Sequence, residues 1–303
     1  MLKTLISLSL FGLLLGLSGT CWATESAWPV RKDALFLEIQ PQWGSYSNDE
    51  PSAVQELKST TRVEFGYIEK GVFAFEVPFR ALARQASENL ASGFSTQSTA
   101  NAFTDLWIGH YYQIFEEPLS LTLRTGLSLP LGYALDTQPV LGEGQLNLDM
   151  AILAGYLLKP LPAYLQAGTG YRLRGNYSAL HIRRQVALAA GKTLDKPSDQ
   201  LEAFAEAGYW LHPALLLSLG IDGDFGLTQE NALQQSSLYF RPRLAWRIQP
   251  DFDLSLQYDQ PLWTQNLPFI SSFRLGAHLR FGQAQDKTTG LRGGETEADF
   301  NTP

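Results

Sequence analysis

Cysteine is almost absent: Cys21 stands alone among 303 residues. If the chain is cut after Ala23, as argued below, the mature protein has none, which excludes disulfides, thiol nucleophiles and Cys-ligated metals together. Charge is scarce as well. Asp, Glu, Lys and Arg make up 17% of the chain, against roughly 25% in a soluble globular protein, while 45% is apolar and 12% aromatic. Something other than water therefore has to face part of the surface. A net charge of −7 and a pI near 5.2 leave none of the basic stripe that nucleic acid requires. No stretch beyond the N-terminus offers the ~18 uninterrupted apolar residues of a membrane helix. The four histidines form no His-x-x-x-His pair, and Gly-x-Ser-x-Gly does not occur.

What is present begins with an export signal. Lys3 supplies a positive start, and residues 5–17 form an apolar run too short to span a bilayer. Cys21-Trp22-Ala23 then reads as a small-x-small cleavage site, so residues 1–23 are expected to be removed and the mature chain to begin at Thr24. A lipoprotein would instead keep Cys21 at its new N-terminus, but Ser18 stands where such signals usually carry Leu. At the other end, residues 282–303 are polar and Gly-rich without apolar period, and read as a disordered periplasmic tail.

Between these lies period-two alternation, over residues 34–281. Twelve segments can be counted, each about ten to twelve residues, the length that crosses a bilayer when tilted. Leu119-Leu121-Leu123-Thr125-Leu127-Leu129 and Leu146-Leu148-Met150-Ile152-Ala154-Tyr156 are two clear cases, as are the segments at 163–173 and 273–281. The remaining strands are expected to start near Leu35, Arg62, Phe73, Asp105, Leu201, Leu215, Leu238 and Leu254. Charge placement sharpens the reading. In Arg62/Glu64, Glu76/Arg80, Arg172/Arg174, Glu202/Glu206, Arg241/Arg243/Arg247 and Arg274/Arg280, the charges of each segment share one parity and the large apolar residues take the other. A one-residue slip of register would turn every charge to the opposite face, and an Arg facing mid-bilayer lipid costs about 2–4 kcal/mol.

A soluble β-sandwich also alternates, with its charges facing water. Two features favour the barrel. Connections alternate between short turns, at 69–71, 116–118, 159–161, 212–213 and 249–251, and long loops near 45–60, 83–102, 132–143, 175–199, 224–236 and 260–270, the asymmetry of outer-membrane barrels. Aromatics such as Trp43, Tyr67, Tyr112, Tyr156, Tyr209, Trp246 and Trp263 collect near strand ends, where headgroup-level rings belong. Residues 24–281 therefore read as an all-β, closed antiparallel transmembrane β-barrel of about 12 strands in a bacterial outer membrane. Closure follows because hydrocarbon tolerates no unpaired sheet edge.

One stretch resembles a known family. Thr104-Asp105-Leu106-Trp107-Ile108-Gly109-His110-Tyr111-Tyr112 is similar to the Gly-Asp-Leu-x-Leu-Gly-x-x-Tyr strand of the outer-membrane family named for the meta-pathway of phenol degradation, with Thr104 in place of Gly. The strand at 121–132, ending Leu129-Pro130-Leu131-Gly132, resembles that family's Leu-Pro-x-Gly ending, and Gly142-Glu143-Gly144-Gln145 and Gly168-Thr169-Gly170-Tyr171 follow. The likeness covers residues 100–176 well and the rest only as barrel pattern. It implies a transporter-like barrel that passes hydrophobic or aromatic compounds.

The inward register gathers the candidate pore-lining residues: Glu38, Arg62, Glu64, Glu76, Arg80, Asp105, Arg124, Asp149, Arg172, Arg174, Glu202, Glu206, Arg241, Arg243, Arg247, Arg274 and Arg280, with Asp222 also inward. Most are expected to neutralise one another across the wall. Arg241, Arg243 and Arg247 have no acid on their own strand and are the candidates for a positive ladder. Twelve strands lie between side-chain-filled eight-stranded barrels and open sixteen-stranded porins, and residues 83–102 or 175–199, the latter with an amphipathic stretch at 180–190, could fold inward. No enzyme is expected: His110 has lipid-facing parity, His212 and His181 fall in connections, and His278 has only Ser272 on its own strand's inward face. No cofactor or metal is implied. The expected partners are outer-membrane lipid, a small-molecule solute and the barrel-assembly machinery. The expected function is passive passage of small hydrophobic or aromatic solutes; the alternative is a plugged structural or adhesive barrel with partner-binding loops.

Overall fold

The alternation is realised as one continuous antiparallel ladder. A computed structural model describes residues 27–46, 54–85, 97–116, 118–131, 144–175, 196–227, 232–265, 267 and 269–282. The expected signal at 1–23, the tail beyond Gly282 and the amphipathic stretch at 180–190 lie outside these residues. The strands are β1 (Leu35–Tyr46), β2 (Val54–Ile68), β3 (Gly71–Gln85), β4 (Gln97–Phe103 and Asp105–Phe115), β5 (Leu119–Pro130), β6 (Asn147–Leu157), β7 (Ala163–Arg174), β8 (Gln200–His212), β9 (Leu215–Gly226), β10 (Ser236–Gln249), β11 (Phe252–Gln265) and β12 (Ser271–Phe281). Each pairs with its sequence neighbour, and β1 pairs with β12 from Leu35↔Phe281 to Ser45↔Ser271. The sheet thus closes as a twelve-stranded antiparallel barrel. A separate two-residue parallel pairing joins Lys196–Pro197 to Ala232–Leu233.

Several boundaries differ from the sequence reading. Strand β2 begins at Val54 rather than near Arg62, β3 runs on to Gln85, and Gln97–Phe103 pairs with it from Phe79↔Phe103 to Gln85↔Gln97. Residues 54–60, 83–85 and 97–102 of the long connections expected at 45–60 and 83–102 are therefore strand, while 47–53 and 86–96 lie outside the described residues. Polar residues such as Gln55, Glu56, Lys58 and Gln97 hide a ladder that carries little apolar signal. Strand β4 is interrupted at Thr104, opposite Pro78. A proline has no N–H to give to a ladder, and here its carbonyl instead accepts from the Thr104 N–H at 2.7 Å.

Burial is inverted relative to a soluble protein. Along β6, Ala151 is 6% exposed, Ile152 50% and Leu153 0%. Leu123, Leu165, Leu219, Leu256, Phe273 and Leu275 are likewise exposed, while Arg62, Glu64, Asp149 and Glu202 are buried. Soluble monomers rarely expose contiguous apolar patches beyond a few hundred Å², so a belt carried by every wall strand is a surface for hydrocarbon. Trp43 and Trp263 bound it towards the long connections, and Tyr112, Tyr156, Tyr209 and Trp246 towards the short turns, as aromatic girdles do. At the short-turn rim, outward-facing Tyr67 stacks on Phe73 and its hydroxyl lies 2.9 Å from His110 Nε2. Four ladder irregularities, at 66/68, 113/115, 210/212 and 247/249, also fall on this rim, where bulges commonly end pairing.

Candidate functional site

The barrel's interior is the candidate site, and the first thing in it is the chain's own N-terminal segment. At the rim, Lys32 bridges Gly66, and the Asp33 N–H donates to the Gly66 carbonyl at 2.7 Å. A Cβ on residue 66 would lie 1.8 Å from the Arg31 carbonyl oxygen, so only glycine lets the chain cross β2 there. Further in, the Ala27 carbonyl accepts from Ser120 Oγ (2.7 Å) and Thr122 Oγ1 (2.8 Å), and its N–H donates to Gln166 Oε1 at 3.4 Å. Trp28 is edge-on to Tyr164 at 6.1 Å and lies over Gly155, where any Cβ would meet its ring. Ala27, Trp28 and Val30 are buried with Phe36, Val72, Leu153 and Phe204 in a small apolar core. The lumen is thus occupied along the wall built by β5, β6 and β7.

Elsewhere the wall is charged, and the charges are paired, most of them across strands. Arg172 bridges Asp149 (2.6 Å) and Glu202 (2.8 Å), and Arg124 reaches Glu202 at 3.6 Å. Trp107 ties this group to β2. Its indole N–H donates to Asp149 at 2.9 Å, and the guanidiniums of Arg62 (5.9 Å) and Arg124 (5.6 Å) both lie over its ring. Arg62 in turn pairs with Glu64 at 3.0 Å and donates to the Tyr111 hydroxyl. A second group centres on Asp259, which meets Arg274 (2.6 Å), Arg241 (3.1 Å), Gln257 (2.8 Å) and Ser272 (2.9 Å). Arg80 pairs with Glu56 at 2.5 Å. Towards the short turns, Asp253 holds Arg247 and Arg280, and Glu206 accepts from Tyr164, Gln166 and Arg243.

All the sequence-derived pore candidates have inward register, though not in one cluster. Glu76 sits opposite Arg62 in the ladder, Asp105 begins the second segment of β4, and buried Arg174 gives its backbone N–H to Asp199 at 2.9 Å. The positive ladder is corrected. Arg241 faces Asp222 (2.7 Å) and Asp259, Arg243 faces Glu206 (3.3 Å), and Arg247 faces Asp253 (3.4 Å), so strands one or two places away supply the acids their own strand lacks. His278 faces inward, and its polar neighbours come from other strands. Nε2 lies 2.9 Å from Ser255 Oγ and Nδ1 3.3 Å from Glu38 Oε1. This has the order of a Ser-His-acid relay, but Phe36 stacks on the imidazole, and the backbone around Ser255 is in register with β10 and β12 on both sides. Those ladders engage the amides an oxyanion would need, and the three residues instead join β1, β11 and β12 at the closing seam.

Residues missed by the sequence reading include Asp253, Gln257 and Asp259, whose shared parity with Ser255 on β11 was a usable signal. Trp107 and Tyr164, which look like apolar wall residues, and Lys58, which falls in the expected connection at 45–60, carry no such signal.

Apolar outside, ionised within and closed on itself, the fold defines a transmembrane β-barrel. No protein-family profile matches the chain, nor does any curated protein. Among solved structures it is similar to the COG4313 outer membrane channel from Pseudomonas putida F1, with a TM-score of 0.66 and 15% identity over 87% of this chain and 100% of that one. That likeness is one of fold. Weaker likenesses include the KdgM porin (TM-score 0.44, 8% identity, 80% of this chain and 99% of that one) and the translocator domain of autotransporter NalP from Neisseria meningitidis (0.45, 12%, 82% and 88%).

Proposed function

We propose that the protein is exported, inserted by the barrel-assembly machinery into a bacterial outer membrane, and passes small hydrophobic or aromatic solutes by passive diffusion. The observation that carries this reading is the lumen. Its wall is polar and its charges are cross-linked in pairs, the kind of lining that a solute-passing barrel presents. The shared fold with an outer membrane channel supports it, as does the resemblance of residues 100–176 to the phenol-degradation barrel family. The packing of Ala27, Trp28 and Val30 inside the barrel favours a second reading, a plugged structural or adhesive barrel.

Planar-bilayer recording of the refolded protein separates the two. Discrete openings are expected; persistent silence, also after deletion of residues 24–30, would leave the plugged barrel standing.

A further inference from the structure

Among the described residues, Lys58 is the lumenal cation of its group that the ion-pair pattern leaves over. It is the fifth residue of β2, in the half of the barrel nearer the long connections, with the same inward parity as Glu56, Arg62 and Glu64. In the ladder it stands between Gln42 and Arg80, and Gln42 stands next to Arg274. The ionised groups that act on it are Glu56, Arg80, Arg274 and Asp259. Both carboxylates are already engaged: Glu56 takes Arg80 at 2.5 Å, and Asp259 takes Arg274 at 2.6 Å along with Gln257 and Ser272. Asp222, the next acid, is held by Arg241 at 2.7 Å. Pair by pair, Arg80 has Glu56, Arg274 has Asp259 and Arg241 has Asp222. Among the described residues, no hydrogen bond or ion pair falls to Lys58, and its side chain keeps part of its surface exposed on the inward face.

An ammonium in a wall of low dielectric, beside two guanidiniums and with its nearest carboxylates, Glu56 and Asp259, each already held by an arginine, keeps a net positive field. The field is that of a single positive charge with three N–H donors. Its complement is a monoanion whose oxygens accept them. We propose that Lys58 forms the binding site for the carboxylate of a small organic monoanion entering the lumen, its hydrocarbon part being the hydrophobic or aromatic body of the solute. The inference rests on the passage reading above for the kind of solute, but not for the site's charge. It also accounts for why a lysine stands here rather than an arginine paired like its neighbours: a flexible point charge can follow a moving ligand, whereas a planar fork prefers one fixed partner.

The test is equilibrium dialysis of benzoate against the folded full-length protein in non-ionic detergent, with benzyl alcohol as the uncharged control. Replacing Lys58 by Met strands no partner, so Lys58→Met is expected to fold like the parent. Benzoate binding should fall about tenfold or more in Lys58→Met, be retained in part in Lys58→Arg, which keeps the charge but not the point geometry, and benzyl alcohol binding should be the same in all three. Equal benzoate binding by the parent and Lys58→Met, or none by the parent, overturns the site. Conductance recorded on the same samples keeps the two ideas apart. A silent barrel with Lys58-dependent benzoate binding removes the passage reading and keeps the site. A conducting barrel without that dependence does the reverse.

Discussion

Nδ1 of His278 lies 3.3 Å from Glu38 Oε1 across the strand pair that closes the barrel. The opposite ring nitrogen meets Ser255 at 2.9 Å, and a Cβ on Gly276 would sit 2.3 Å from that serine oxygen, so the glycine makes the contact possible. The three strands at the seam are thereby joined by side chains as well as by backbone. Truncating His278 to Ala leaves a buried carboxylate and a buried hydroxyl without this partner, a cost of ~1–3 kcal/mol. Urea titration of the folded barrel in detergent should show that loss. Neither the parent nor His278→Ala is expected to hydrolyse a short-chain ester above the detergent blank. Parent activity abolished in the variant would make the relay catalytic instead.

The arginines of β10 should differ in weight. Arg241 is buried and bridges two carboxylates, at 2.7 and 3.1 Å, whereas Arg247 is 23% exposed and meets Asp253 at 3.4 Å. Removing the partner of a buried charge costs about 3–5 kcal/mol; losing Arg241 strands Asp222, whereas Asp253 keeps Arg280 when Arg247 is lost. Arg241→Gln should therefore lower the barrel's unfolding midpoint far more than Arg247→Gln in the same urea titration. Equal effects would mean that the lumenal network is hydrated and loosely held.

How much of this was legible in the sequence depends on which force writes each feature. The face of every pore candidate could be read, because hydrocarbon on one side leaves a strict parity that Arg172/Arg174 and Glu202/Glu206 cannot hide. Pairing could not, because it is a relation between strands. Arg243 looks acid-free along β10, yet its acid, Glu206, sits two strands away on β8. The polar start of β2 was lost for a related reason. Beyond the hydrocarbon belt no apolar alternation is enforced, so Glu56 and Lys58 read as loop although the ladder continues to Val54. The inward course of Ala27 to Val30 depends on Gly66 and Gly155, far along the chain, and nothing local announces it.

Those glycines also yield a prediction about passage. A side chain at 155 must displace Trp28, whose ring atoms would lie 2.3–2.7 Å from the new Cβ. Gly155 lies on a wall strand whose ladder tolerates β-branched residues, so Gly155→Val should keep the barrel folded while expelling the indole from its place against Tyr164. Single-channel conductance is expected to rise relative to the parent. An unchanged conductance in a folded Gly155→Val barrel would show that Trp28 does not narrow the route.

The most demanding prediction concerns the outer wall. Ile152 and Leu153 are adjacent on β6, at 50% and 0% exposure. In a water-soluble sheet, an arginine at exposed position 152 would be nearly free, within about 0.5 kcal/mol. In a lipid-facing belt the same Ile152→Arg change costs about 2–4 kcal/mol near mid-bilayer, and less towards either interface. Placing arginine in turn at Leu148, Ile152 and Tyr156, all outward on β6, should therefore give a destabilisation that peaks at 152 when the protein is unfolded from lipid vesicles. A flat profile, or a parent that stays folded and monomeric in detergent-free buffer, would mean that water and not oil surrounds the sheet. The parity of every charge described here would then need another cause.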